Sequence, residues 1–210
     1  MDTNDSMSML PIFFKFSSRA YLTTVAACPD LHVKAIDENT HDSNRKIYDN
    51  LLFGEYEPYS FPIVFHQDDG NRLRDVLDTG WPPVYLISDR MRDILIDNNI
   101  TGWKAYTIEL YDKKDRIISG YNGFSVIGRG GSYDKNYKLG YLDKEKQHFG
   151  ATTRGLYNLS NWDGSDFFIM WYRELIVTER VMKLLKKNKI DAIEYEKLSD
   201  YVDFIGESRF

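Results

Sequence analysis

ISDRMRDILIDNNITGWKAYTIEL, residues 87–110, contains the signals of a strand end, a capped helix and a second strand in direct succession. Ser88 is a typical helix N-cap, and Asp89 places a negative charge in the first turn, where the helix dipole favours it. The pair Asn98-Asn99 is typical of a helix that ends in a left-handed residue. This stretch therefore predicts a helix that begins after Ser88 and ends near Asn98.

The same helix carries an apolar stripe. Met91, Ile94 and Leu95 follow one another at the spacing that places them on one helical face. Burial of each side chain stabilises the fold by roughly 1.5–3 kcal/mol, which exceeds the intrinsic propensity of so short a helix. Trp103 to Tyr111 then predicts a strand, so the helix should lie against a sheet through this stripe.

A second stretch has the same order of signals. VTERVMKLLKKNKIDAIEYEKL, residues 177–198, again contains a cap, an apolar helix, an asparagine and a strand. When residues 87–100 are compared with residues 177–190, four positions are identical. These are Arg90 and Arg180, Leu95 and Leu185, Asn98 and Asn188, and Ile100 and Ile190. Two interpretations stay open: an internal duplication, or two ordinary strand–helix–strand units.

The rest of the chain favours strands. Candidate strands are rich in aromatic and β-branched residues. They are Ile12–Phe16, Leu31–Ile36, Ile47–Phe53, Phe61–Phe65, Phe124–Ile127 and Phe167–Val177, the last interrupted near Arg173-Glu174. A further short helix is predicted where Leu73, Val76 and Leu77 precede Gly80. The expected fold class is α+β: mixed, mostly antiparallel sheets with a few short helices and two similar units in the C-terminal two thirds.

Trp81-Pro82-Pro83 is the candidate boundary, because two prolines cannot continue a helix and bias the chain to an extended form. We therefore expect a β-rich region at residues 1–82 and an α+β region at residues 83–210, which contains units 87–110 and 177–198. The two regions are expected to pack together as one globular body.

Composition limits the function. The chain has 210 residues, of which 42% are hydrophobic, and a net charge of −5. The acidic balance argues against a nucleic-acid-binding protein and favours a basic partner. The single cysteine, Cys28, excludes a disulfide within one chain and is typical of a reducing compartment. No apolar run reaches the length of a membrane span, so we expect a cytoplasmic protein without a membrane partner.

No catalytic or metal-binding motif stands out. Gly123 to Gly128 has one residue too many for a nucleophile elbow, and Gly128 to Gly131 lacks the Lys-Ser/Thr of a phosphate loop. The four histidines have no ligand spacing, so neither a metal nor a cofactor is expected. His66, which lies close to Asp68 and Asp69, forms a local His–carboxylate cluster.

Residues in several predicted loops are candidates for binding a partner. Large amphipathic rings next to carboxylates can anchor a protein partner and attract basic groups. The candidate binding residues are Glu55, Tyr56, Glu57, Tyr59, Arg129, Tyr133, Trp162, Asp163 and Asp166. The alternative for such rings is that they fold back onto the core.

The pattern [IV]-[ST]-[DE]-R, a short helix, and N-x-I-[TD]-[GA] before a strand occurs at residues 87–102 and again at residues 177–192. Together with Trp162-Asp163-Gly164-Ser165-Asp166-Phe167-Phe168, it resembles the predicted immunity proteins of bacterial polymorphic toxin systems. The resemblance covers residues 83–200 and transfers no catalytic residue. It implies a non-enzymatic, cytoplasmic protein that binds and neutralises a cognate toxin.

Three functional hypotheses follow. The first is an immunity protein whose partner is a protein, with a basic toxin domain as the candidate. The alternative is a small α+β enzyme that acts on a small molecule, with His66 and the nearby acids in a concave site. The third is a scaffold module that associates with itself; the sequence does not predict an oligomeric state.

Overall fold

The computed structural model describes residues 12–19, 22–29, 50–51, 62–80, 83–130, 162–170 and 174–198. These ranges contain eleven strands and two helices. In chain order they are β1 (Phe13–Ser18), β2 (Ala26–Pro29), β3 (Ile63–Asp69), β4 (Val76–Asp78), β5 (Tyr85–Ser88), α1 (Asp89–Asp97), β6 (Trp103–Tyr106), β7 (Ile108–Tyr111), β8 (Tyr121–Val126), β9 (Phe167–Met170), β10 (Glu174–Thr178), α2 (Glu179–Lys187) and β11 (Ile193–Lys197). This content confirms the α+β class.

Helix α1 begins and ends where the sequence predicts. The Ser88 hydroxyl accepts a hydrogen bond from the Met91 amide at 3.1 Å and so caps the first turn. Asn99 has a φ of 50°, and this left-handed residue ends the helix. Ile100 then packs back into the core, so the stop signal and the first residue beyond it are both confirmed.

Helix α2 has the same limits relative to its strand. It starts after Thr178 and ends at Asn188, whose amide donates to the Leu184 carbonyl. Lys186 and Lys187 lie in its last turn, where positive charge is favoured by the helix dipole. Lys189, at a φ of 54°, turns the chain towards β11.

The smaller sheet has the strand order β11-β1-β10-β9. Strand β1 therefore lies between two strands from the other end of the chain, with Phe16 opposite Tyr195 and Phe14 opposite Val177. The hairpin of β9 and β10 replaces the long strand predicted over residues 167–177, with the interruption near residue 173. The outer edge of β9 bonds to the segment that follows β8, since the Ile169 amide donates to the Gly128 carbonyl.

The larger sheet has the order β6-β8-β5-β4-β2-β3-β7. Its two edge strands are consecutive in the chain, with only Thr107 between Tyr106 and Ile108. Because neighbouring Cα atoms are about 3.8 Å apart, these two edges lie within about 8 Å of each other. The strand predicted over residues 103–111 is thus bent into two, each half pairing with a different neighbour.

Two main clusters of buried side chains follow from this arrangement. The first lies between the two sheets and the two helices, with Phe16, Met91, Phe167 and Leu185 among its members. The second is formed mainly by residues of the larger sheet, together with Leu51, and includes Phe65, which is fully buried. A smaller third cluster joins Phe13, Phe168, Met170, Ile176 and Leu198 on the other face of the smaller sheet.

Two local predictions are wrong. The short helix expected before Gly80 is strand β4, because Val76 packs into the first cluster and Leu77 into the second, as alternating residues of a strand do. Asn50 and Leu51 have helical backbone, although a strand was expected across them. Leu51 is buried in the second cluster, and its carbonyl accepts a hydrogen bond from Ser125.

Strands from both sides of residue 82 hydrogen-bond to one another. β4 pairs with β5, and β1 pairs with β10 and β11. No helix in the described part of the chain is long and apolar enough to cross a membrane.

Candidate functional site

Three of the candidate binding residues lie close together. The Arg129 amide donates to the Asp163 carboxylate at 2.8 Å, and the Asp163 amide donates to the Arg129 carbonyl at 3.1 Å. Trp162 packs edge-on against Phe13, with ring centroids 5.1 Å apart, and its indole donates to the Ser165 carbonyl at 3.0 Å. The Trp162 ring therefore covers the third cluster. Glu55, Tyr56, Glu57, Tyr59 and Tyr133 lie outside the described residues.

Asp166 is buried and holds the chain together. Its carboxylate accepts hydrogen bonds from the Thr178 hydroxyl at 3.0 Å, the Arg180 guanidinium at 3.0 Å and the Thr101 amide at 3.1 Å. The other guanidinium nitrogen of Arg180 donates to the Asn98 carbonyl at 2.6 Å. These contacts join the start of α2 to the end of α1 and give Asp166 a structural role.

Asp75 is also buried, and its contacts join the start of α1 to the segment that follows α2. Its carboxylate accepts from the Ser88 hydroxyl at 2.7 Å, the Arg90 guanidinium at 2.8 Å and the Asp191 amide at 3.1 Å. Arg90 also donates to the Asn188 carbonyl. The sequence alone did not single out Asp75, because a lone aspartate before a strand has no distinguishing pattern.

His66 lies on the outer face of the larger sheet. Its ring stacks on Tyr111 with centroids 5.4 Å apart, and it lies opposite Cys28 on the neighbouring strand. Burial, and then the nearby carboxylates of Asp68 and Asp78, raise the pKa of the Cys28 thiol. A thiol with a raised pKa is protonated at neutral pH and is a poor nucleophile. Within the described residues, no group of three His, Cys, Asp or Glu side chains could hold a metal ion.

A charged groove runs along the edge of the smaller sheet where β11 lies. It has a volume of about 520 Å³ and is formed by β1, β11 and the last turn of α2. Its lining residues are Lys15, Ser17, Arg19, Lys186, Ile193, Glu194, Tyr195 and Glu196. We take this groove, named here the β11 groove, as the candidate functional site.

Charges are unevenly paired in the β11 groove. Arg19 approaches Glu194 at 3.2 Å, and Lys15 bonds to Glu174 on β10 at 2.8 Å. No described cation pairs with Glu196, which is exposed. Lys186 lies over the Tyr195 ring, 5.4 Å from its centroid. The lining contains three cations and two carboxylates; on β11 itself the exposed Glu194 and Glu196 lie on the outer face, and the half-buried Ile193 and Tyr195 lie on the inner face.

The backbone of β11 adds a second feature. In an antiparallel ladder, alternate residues bond to the neighbouring strand while the residues between them point away. The Arg19 amide donates to the Ala192 carbonyl at 2.8 Å, and the Leu198 amide donates to the Phe13 carbonyl at 2.9 Å. With the register of the pair, these bonds mean that the amides and carbonyls of Ile193, Tyr195 and Lys197 point away from β1. No described residue outside β11 bonds to them.

The sequence contained part of this signal. Ile193 to Lys197, IEYEK, alternates glutamates with larger apolar residues, as a half-exposed strand does. The prediction of the strand was correct, but the sequence could not show that β11 lies at a sheet edge. That position follows from the insertion of β1, which comes from the opposite end of the chain.

Comparison with protein-family models gives no match for this chain, and comparison with curated proteins gives none either.

Proposed function

We propose that this protein is a non-enzymatic binding protein whose partner is a basic protein domain, and that binding neutralises a cognate toxin in the cytoplasm. The observation that carries the proposal is the β11 groove, where exposed Glu194 and Glu196 stand beside the half-buried ring of Tyr195 at a sheet edge. An amphipathic ring beside an exposed carboxylate that no described cation pairs with, as at Glu196, is suited to anchoring a basic partner.

Charge supports the same proposal. The chain has 27 basic and 32 acidic residues, so its overall field attracts a basic protein and speeds encounter. The resemblance of residues 83–200 to predicted immunity proteins supplies the toxin as the class of partner. The single cysteine supports a reducing compartment.

Co-expression tests the proposal. Each toxin domain encoded beside this gene is expressed with and without the protein, growth is measured, and complex formation is measured by pulldown with purified components. We expect one toxin whose growth inhibition is relieved and which forms a complex at equal molar ratio. Growth inhibition by every such toxin in the presence of the protein, with no complex, contradicts the proposal.

We also infer that residues 87–110 and 177–198 are two similar units related by duplication. Matching contacts support this inference. Arg90 and Arg180 each donate to a buried aspartate and to the carbonyl of the asparagine that ends the opposite helix. Ser88 and Thr178 each donate a hydroxyl hydrogen bond to that same aspartate.

Strand order supports it as well. β6-β8-β5-β4 in the larger sheet corresponds to β11-β1-β10-β9 in the smaller one. The second strand of each set, β8 or β1, places a phenylalanine opposite the third residue of the strand that follows the helix. Phe124 lies opposite Ala105, and Phe16 lies opposite Tyr195. If the units are duplicates, the strand of the second unit that corresponds to β8 is β1, which comes from the N-terminal part of the chain.

A further inference from the structure

We propose that the partner binds by adding one extended segment to the outward edge of β11, to which no described residue bonds, and that this segment alternates basic and apolar residues. The proposal rests on the proposed function in one respect, that the ligand is a protein. It adds the mode of binding and the sequence pattern that the edge selects.

The backbone of β11 supplies the affinity. Three alternate residues of β11 point their amides and carbonyls away from β1, which gives three donors and three acceptors along one line. They are Ile193, Tyr195 and Lys197. A peptide strand laid along this line pairs with all of them, as in other complexes formed by strand addition. The groove of about 520 Å³ is lined by four consecutive residues of β11, Ile193 to Glu196, and so lies next to this strand.

Side chains supply the selectivity. Residues directly opposite in a sheet share a face, so a strand on β11 meets two different surfaces. On the outer face it meets Glu194 and Glu196, both exposed. On the inner face it meets Ile193 and Tyr195, both half-buried. Lysine or arginine is therefore favoured opposite the glutamates, and an apolar residue is favoured at each position between them.

The same pattern argues against a second copy of this chain on the edge. Antiparallel pairing of two β11 strands about Tyr195 places Glu194 of each copy opposite Glu196 of the other. Parallel pairing in register places each glutamate opposite itself. Like charges directly opposite in a sheet are destabilising, so the edge favours a basic strand over its own copy.

A palindromic peptide tests the proposal without a choice of strand direction. The probe is Val-Lys-Val-Lys-Val, capped at both ends, titrated into the full-length protein while amide hydrogen exchange is followed by NMR. We expect slower exchange at the amides of Ile193, Tyr195 and Lys197. Exchange at Glu194 and Glu196 should change little, because those amides already bond to β1. The peptide N-methylated at its three central residues should give no protection.

Charge reversal tests the side-chain pattern. In the double variant E194K/E196K, affinity for the lysine peptide should fall by about tenfold, since two attractive pairs become repulsive. The matching peptide Val-Glu-Val-Glu-Val should then bind the variant better than it binds the original protein. The control variant D93K/D97K makes the same charge change on the exposed face of α1 and should leave both affinities unchanged.

The outcomes separate the two proposals. If a cognate toxin binds the protein and E194K/E196K leaves that affinity unchanged, strand addition at β11 is overturned while the proposed function stands. Strand addition is also overturned if the lysine peptide slows exchange at amides other than those of Ile193, Tyr195 and Lys197. Protection of the same three amides by raised protein concentration alone assigns the edge to a second copy and overturns the choice of partner.

Discussion

Asp75 and Asp191 each donate a backbone amide to the carboxylate of the other. The Asp75 amide lies 2.9 Å from the Asp191 carboxylate, and the Asp191 amide lies 3.1 Å from the Asp75 carboxylate. Arg90 bonds to the first carboxylate, and Arg74 bonds to the second at 2.7 Å. This reciprocal pair ties the start of β4 to the chain between α2 and β11, residues that are 116 apart in sequence.

Replacement of Asp75 by alanine should destabilise the protein. The change leaves the Ser88 hydroxyl, the Arg90 guanidinium and the Asp191 amide without their shared acceptor in a site that is 8% exposed. We expect the free energy of unfolding in urea to fall by about 3 kcal/mol. Asp97→Ala removes an exposed carboxylate from α1 and should change it by less than about 0.5 kcal/mol. A fall as small as that of the control would contradict the structural role.

Asp166→Ala should cost a similar amount. Its carboxylate has the corresponding acceptor role for Thr178, Arg180 and the Thr101 amide. If the two units are duplicates, the two alanine variants should lose unfolding free energy to within about 1 kcal/mol of each other. Urea unfolding of both variants in one buffer measures this. A large loss for one aspartate and none for the other would argue that the two sites are not equivalent.

Stability should decline in acid partly through Asp191. Burial acts to raise the pKa of this carboxyl, but the Asp75 amide and the Arg74 guanidinium outweigh it and lower the pKa. A carboxyl whose pKa is lowered by folding adds stability above its unfolded pKa of about 3.9, and that stability is lost as the pH falls through the folded pKa. Asp191→Asn should therefore flatten the decline in unfolding free energy below about pH 4. An unchanged slope in the variant, measured by urea unfolding from neutral to acid pH, would exclude this contribution.

Gly123→Ala tests the packing between β8 and β6. A Cβ at this position would lie 2.0 Å from the ring of Tyr106, its partner on β6. We expect a loss of roughly 1–3 kcal/mol in unfolding free energy, because the packed ring cannot move aside without strain. Tyr106→Leu in the same background should restore part of the loss. The exposed Lys104→Ala on the same strand serves as the control. Greater stability in Gly123→Ala would mean that the ring does not fill this space.

Cys28 should alkylate slowly. Because burial and two nearby carboxylates raise the pKa of its thiol, the reactive thiolate is scarce near pH 8. We expect iodoacetamide to modify the folded protein more slowly than the urea-unfolded protein at pH 8, with the folded rate rising as the pH increases above 9. Asp68→Asn should speed the folded reaction modestly. Mass spectrometry follows the modification. A folded rate equal to or above the unfolded rate would instead indicate an activated thiol and favour the enzyme hypothesis.

Local sequence signals determined the helices and their limits. A capping serine, a stripe of Met91 and Leu95 and a left-handed Asn99 each act over a few residues, so their effect could be predicted without the rest of the chain. The apolar spacing and the left-handed stop act in the same way in α2, whereas the Thr178 hydroxyl donates to Asp166 and does not cap the helix. The four identical positions between residues 87–100 and 177–190 were likewise visible in the sequence.

The candidate functional site could not be predicted from such local signals. The prediction placed binding on loops, yet Trp162 packs on Phe13 and Asp166 is an internal acceptor, since their partners come from distant parts of the sequence. Val76 and Leu77 were predicted as helix because adjacent apolar residues fit either structure. Their two faces became distinguishable only once a different cluster lay on each side.

The sequence by itself determined that two short helices each precede a strand, because apolar spacing and left-handed stops are properties of neighbouring residues. The tertiary structure alone decided where those strands lie. β1 enters between β10 and β11 from the far end of the chain, and Thr107 allows one predicted strand to serve both edges of the larger sheet. Strand pairing between distant residues depends on the packing of the whole core. The position of β11 at the edge of the described smaller sheet, on which the proposed binding depends, is a consequence of that packing.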